Sequence, residues 1–164
     1  MAIEYTLLCK DKRLSKEVLV RKIESLGFQC SKIELLDKGI CIHLNEQIGF
    51  WVFLLDAGNY PYNSWETIFS SEDFTFERIL KFRMVKDYSY FEERYNVLLR
   101  MVFDLTAELN EEAILVNSSG TEMCFFRENE PILFNNEAGI WNNDSLRNKF
   151  DLLRRFSLHF LSVW

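Results

Sequence analysis

Between Phe91 and Leu109 the apolar residues Phe91, Tyr95, Leu98, Val102, Leu105 and Leu109 recur in steps of four and three, which puts them on one stripe of a helix. Glu93, Arg100, Asp104 and Glu108 fall on the opposite side. The pattern predicts one long helix over about 88–109. A shorter helix is predicted over about 15–26. Ser15 can cap it, Glu17 sits in its first turn, Val18, Leu19, Ile23 and Leu26 supply its apolar side, and Gly27 can end it.

Elsewhere the periodicity shortens to that of strands. Ile3, Tyr5 and Leu7 alternate with Glu4 and Thr6. Phe28 to Leu36 and Ile40 to Leu44 read as strands joined by a turn at Asp37-Lys38-Gly39. Phe50 to Leu55 is an unbroken apolar run, which suits a central strand covered on both faces. In Glu77 to Val85, Leu80, Phe82 and Met84 face one way while Lys81 and Arg83 face the other. Ala113–Asn117, Thr121–Arg127 and Pro131–Phe134 read as three short strands, with turns at Ser118-Ser119-Gly120 and Glu128-Asn129-Glu130. Residues 57 to 76 are irregular, with a short helix expected around Trp65 to Phe69. In the tail, Leu146, Phe150 and Leu153 have helical spacing and Phe156, Leu158 and Phe160 alternate. Arg147, Lys149, Arg154 and Arg155 make it the most basic part of the chain. It is expected to close the fold by packing on it.

A one-sided helix among short strands must bury its stripe against a sheet. The expected fold class is therefore α+β: a single domain over 1–164, with a mixed, mostly antiparallel sheet of about 7–8 strands packed against the long and the short helix. A chain of 164 residues suits one such domain and needs no disulfide or metal to hold it together.

Charge narrows the choice of partner. With 19 Lys and Arg against 25 Asp and Glu, the net charge is −6, the reverse of the basic footprint that nucleic-acid binding requires. Cys9, Cys30, Cys41 and Cys124 form no C-x-x-C pair, and buried reduced thiols are expected. No apolar run approaches the roughly 20 residues of a membrane span, and the opening residues lack the pattern of a secretory signal. The expected location is the cytoplasm.

Candidate chemistry is sparse. The six glycines are isolated, which leaves no phosphate-cradling loop or dinucleotide fingerprint. No His/Cys/Asp cluster has metal-ligand spacing, so neither metal nor cofactor is expected. His43 projects from the less apolar face of its strand, and His159 has no companion in sequence. The paired carboxylates Glu72-Asp73, Glu92-Glu93 and Glu111-Glu112 read as solvated surface. The chain is therefore read as a non-enzyme. The segment from Gly58 to Phe76 carries large rings beside acids, a composition able to anchor a partner with a basic surface. The candidate partner-binding residues are Tyr60, Tyr62, Trp65, Glu66, Glu72 and Asp73, with Trp141 as a second loop candidate.

Certain strings resemble the third class of Sit-type immunity proteins. They are Ala2-Ile3-Glu4-Tyr5-Thr6-Leu7, the block opening Asn96-Val97-Leu98-Leu99-Arg100-Met101-Val102, and Asp104-Leu105. They continue with Ala113-Ile114-Leu115-Val116-Asn117, Gly120-Thr121-Glu122, Cys124-Phe125-Phe126, Pro131-Ile132-Leu133-Phe134-Asn135 and Gly139-Ile140-Trp141. The resemblance implies a bacterial immunity protein of polymorphic toxin systems, which binds a cognate protein toxin in the cytoplasm and has no catalytic residues. Stoichiometric occlusion is the expected mechanism, and the negative charge fits a basic toxin. The alternative is a small-molecule-binding or regulatory α+β domain with its pocket between helix and sheet.

Overall fold

A computed structural model describes residues 2–138 other than Tyr88, together with the backbone of 159–161. Helix α1 is Lys16–Ser25 and helix α2 is Phe91–Leu109. The strands are β1 Glu4–Cys9, β2 Ile33–Leu36, β3 Gly39–His43, β4 Phe50–Asp56, β5 Ser64–Trp65, β6 Phe74–Thr75 and β7 Arg78–Met84. After α2 come β8 Ala113–Asn117, β9 Glu122–Arg127, β10 Glu130–Asn135 and β11 His159–Leu161. Nine of them form one sheet in the order β11-β10-β9-β8-β1-β7-β4-β3-β2. All neighbours are antiparallel except β10 and β11, which run parallel. The fold is α+β, as the hydrophobic pattern requires.

Both helices cover one face of the sheet. Leu19 and Ile23 of α1 and Tyr95, Leu98, Val102 and Leu105 of α2 share a core with Leu7, Ile42, Val52, Leu80, Phe82, Leu115 and Phe134. Phe103 of α2 stacks on Phe134 at 6.3 Å and meets Phe126 edge-on at 5.2 Å. The buried side of α2 is broader than the six-residue stripe, since Leu99, Met101, Phe103 and Thr106 are buried too. β1 runs through the middle of the sheet. It joins the meander β2-β3-β4-β7 on one side to β8-β9-β10 on the other.

Caps set the helix ends. The Ser15 hydroxyl oxygen accepts from Val18 N at 3.2 Å, and Gly27 turns away at φ 95°. α2 begins at Phe91 rather than at 88, because the Asp87 carboxylate takes the Ser89 N–H and hydroxyl in a tight turn just before it. Asn110, left-handed at φ 48°, ends it.

Three local expectations are corrected. The strand expected from Phe28 begins only at Ile33. Gln47 binds both backbone groups of Gln29 through its side-chain amide, at 2.8 Å each, in place of a strand partner. The helix expected at Trp65–Phe69 is absent: Trp65 pairs with Phe74, Ile68 N donates to Glu122, and Phe69 N donates to Thr67 Oγ1. β4 is interior, but the described residues do not cover it fully on both faces. Phe50, Val52 and Leu54 are buried under the helices, whereas Trp51, Phe53 and Leu55 are only half-buried on the other side. The helix and alternation expected in the tail, and Trp141 with its loop, lie outside the described residues except where Phe160 falls in β11.

Candidate partner-binding surface

The described residues cover the face of the sheet away from the helices only in part. Phe74 and Phe76 lie over Leu8, Ile114 and Val116 in a second apolar cluster, with Trp65, Ile79 and Phe125 at its margin. Phe125 receives Phe69 and Phe74, each at 5.8 Å. Four rings of the irregular segment thus fold back onto the sheet, and Trp65, named as a partner residue, is one of them. Tyr60 and Tyr62 do not fold back; they are 79% and 81% exposed. Glu66, Glu72 and Asp73 are exposed as well. From Ala57 to Glu77 there is no Lys or Arg against Glu66, Glu72, Asp73 and Glu77.

The segment is held by a buried carboxylate. Glu122, at the start of β9, accepts from the Thr67 hydroxyl at 2.5 Å and from Ile68 N at 3.1 Å. Its own carbonyl accepts from Asn135 Nδ2 at 2.7 Å. Both Thr67 and Glu122 are buried. At the other end, Ser64 Oγ donates to Asp73 Oδ2 at 3.2 Å across the β5/β6 pair, and Phe76 N donates to Asn63 O at 3.0 Å. The two exposed tyrosines therefore project from a braced frame. Sequence reasoning missed Glu122, because a carboxylate at a strand start reads as surface until its partner from residue 67 is known.

The half of this face that the described residues leave open carries cross-strand rows. His43, Trp51, Arg83 and Glu4 line up in register, as do Glu34, Cys41, Phe53 and Lys81. The Arg83 guanidinium lies 5.4 Å from the Phe53 ring centre and donates to Glu4 at 2.7 Å. Partial burial would raise the Glu4 carboxyl, but the Arg83 hydrogen bond and the Lys81 charge together hold it below its ordinary value.

His43 Nε2 lies 3.1 Å from Glu34 Oε2. Cys41 Sγ is within 4.8 Å of both groups. This is not the arrangement of an activated thiol, because Cys41 is buried and its thiol is pushed up, first by that burial and then by the Glu34 charge. A hairpin register pairing Glu34 with Cys41, plus the C-x-H spacing of Cys41 and His43, is the signal that could have found the trio.

Glu111, read as solvated surface, is 3% exposed. Burial lifts its carboxyl to about 7, while the Asp11 backbone N–H, at 2.8 Å from Oε1, pulls the other way. It lines a cleft of about 310 Å³ between the end of α2 and the β9–β10 hairpin, with Thr106, Asn110 and Arg127. Arg127 donates to Pro131 O, and Asn110 and Asn129 bond each other, so the polar side chains of this cleft are largely committed. Its neighbour Glu112 pairs with Lys10 at 2.5 Å. Glu92 and Glu93 are exposed on the first turn of α2.

No helix among the described residues is long and apolar enough to cross a membrane. No curated protein matches the chain. A family model does, over residues 3–145, which takes in both helices, the rows of the open face and the braced segment. The chain belongs to the SitI3-like family.

Proposed function

We propose that this chain is an immunity protein that binds a cognate bacterial toxin in the cytoplasm and neutralises it by stoichiometric occlusion. Family membership supports the class of function. The observation that carries the mechanism is the pair of exposed tyrosines on an acidic segment braced by buried Glu122. A docking surface gains affinity when its aromatic anchors are already held in place, since little freedom is then lost on binding. The four carboxylates from Ala57 to Glu77, a stretch without Lys or Arg, speed encounter with a basic toxin surface. Occlusion needs no turnover, so the chain acts as a one-for-one inhibitor and not as an enzyme. Tyr60, Tyr62, Glu66, Glu72 and Asp73 form the contact and Trp65 supports it from beneath; Trp141 is a further contact residue.

The alternative of a small-molecule-binding domain would place its ligand in the cleft beside Glu111, where Asn110 is already bonded to Asn129 and Arg127 to the Pro131 carbonyl. That favours occlusion. The test is a binding titration against the toxin encoded beside this chain. One-to-one binding that weakens by about 100-fold or more in Tyr60→Ala/Tyr62→Ala supports the proposal. Failure of the unaltered pair to associate overturns it.

A further inference from the structure

We propose that Glu34, Cys41 and His43 form a binding site for a divalent transition-metal ion of the zinc class. The β2–β3 hairpin brings them together. Glu34 is directly opposite Cys41 in the antiparallel register, and His43 is two residues along β3, hence on the same face. His43 N donates to Lys32 O at 3.0 Å and continues the pairing past the end of β2, which fixes the backbone under the site. Nε2 of His43 and Oε2 of Glu34 are 3.1 Å apart, and the three potential ligand atoms all lie within 4.8 Å of one another. Zinc–ligand bonds of about 2.0–2.3 Å put tetrahedral ligands roughly 3.3–3.7 Å apart, so side-chain adjustment alone closes the site.

The donor set selects the metal. One sulfur, one imidazole nitrogen and one carboxylate oxygen suit zinc and not magnesium or calcium, which take oxygen ligands. Binding converts the Cys41 thiol to a thiolate: the S–H bond breaks, the metal–sulfur bond forms, and the proton leaves to solvent. The thiolate and Glu34 together then balance the two positive charges. Two cations face the thiol, Lys32 and Arg83. Arg83 is matched by Glu4 at 2.7 Å, which leaves Lys32 as the opposing charge. Glu34 is exposed, so the fourth position opens to water. The site is independent of the toxin-binding proposal.

Cobalt(II) titration of the reduced full-length protein tests it, because a thiolate ligand gives cobalt a near-ultraviolet charge-transfer band and a tetrahedral site gives strong visible bands. The expected result is one ion per chain, loss of the charge-transfer band in Cys41→Ser, and its retention in Cys30→Ser. Glu34→Gln and His43→Gln, at sites outside the core, each weaken binding by at least about tenfold, and Lys32→Gln tightens it. Absence of a thiolate band at saturating cobalt overturns the assignment. So does a band that persists in Cys41→Ser, or an affinity unchanged in both Glu34→Gln and His43→Gln.

Discussion

The Glu122 carboxylate accepts the Thr67 hydroxyl at 2.5 Å inside the protein, 55 residues away along the chain. A hydrogen bond to a buried charge is among the stronger polar contacts, and removing one partner strands the other. Thr67→Val should destabilise the protein by about 2 kcal/mol. It should also make the chain between 57 and 76 a preferred site of limited proteolysis while the sheet stays resistant. Urea unfolding and a protease time course would show both effects. Uniform cleavage across the chain would argue against a local brace.

Glu111 gives stability a pH dependence of definite sign. Its carboxyl titrates at about 7 in the folded chain against an ordinary value of 4.5, so the folded state holds a proton that the unfolded state has released. Its contribution is complete below 4.5, falls as pH rises through 7, and is constant above that. Glu111→Gln keeps an acceptor for Asp11 N and removes the titration. The variant should be the more stable protein at pH 8, by on the order of 1–3 kcal/mol, with the advantage vanishing below pH 4.5. Denaturant midpoints measured from pH 4 to pH 8 decide it.

Phe103 stands between Phe126 and Phe134. Phe103→Ala should cost about 3–5 kcal/mol, through lost burial plus the cavity left behind. Phe103→Leu should cost less than half of that. Thermal unfolding of the two variants gives the comparison.

Gly39 passes so close to β4 that a Cβ there would meet the Leu54 carbonyl oxygen. Backbone cannot yield as a flexible side chain does. Gly39→Ala should destabilise by about 1–3 kcal/mol, whereas Gly120→Ala, with open space around it, should lose only what its left-handed φ of 80° costs. A larger loss at Gly120 than at Gly39 would contradict the packing argument.

Sequence pattern made the fold legible wherever one contact type dominated. The α2 stripe, the Ser15 cap and the alternation of Leu80, Phe82 and Met84 are local signals, and each appears where the pattern put it. Misreadings cluster where a distant side chain takes over a backbone group. Gln47 does so at Gln29, and Glu122 does so at Ile68. The unbroken run Phe50–Leu55 misled for another reason, because its outer residues are only half-buried and are shielded, among the described residues, by neighbours such as Arg83 over Phe53. At the candidate surface, composition singled out the segment but could not divide its rings. Which fold back and which stand out depends on Phe125 and Glu122, both remote in sequence.

The central place of β1 also bears on how the molecule comes into being. These six residues leave the ribosome well before both their neighbours, Arg78–Met84 and Ala113–Asn117. Long-range pairing of this kind slows folding. The earlier meander can seat β1 on one side while its other edge waits for the second. A nick within α2 therefore yields unequal pieces: the first keeps the keystone, and the second emerges with β8 bare, a sticky margin primed for self-association.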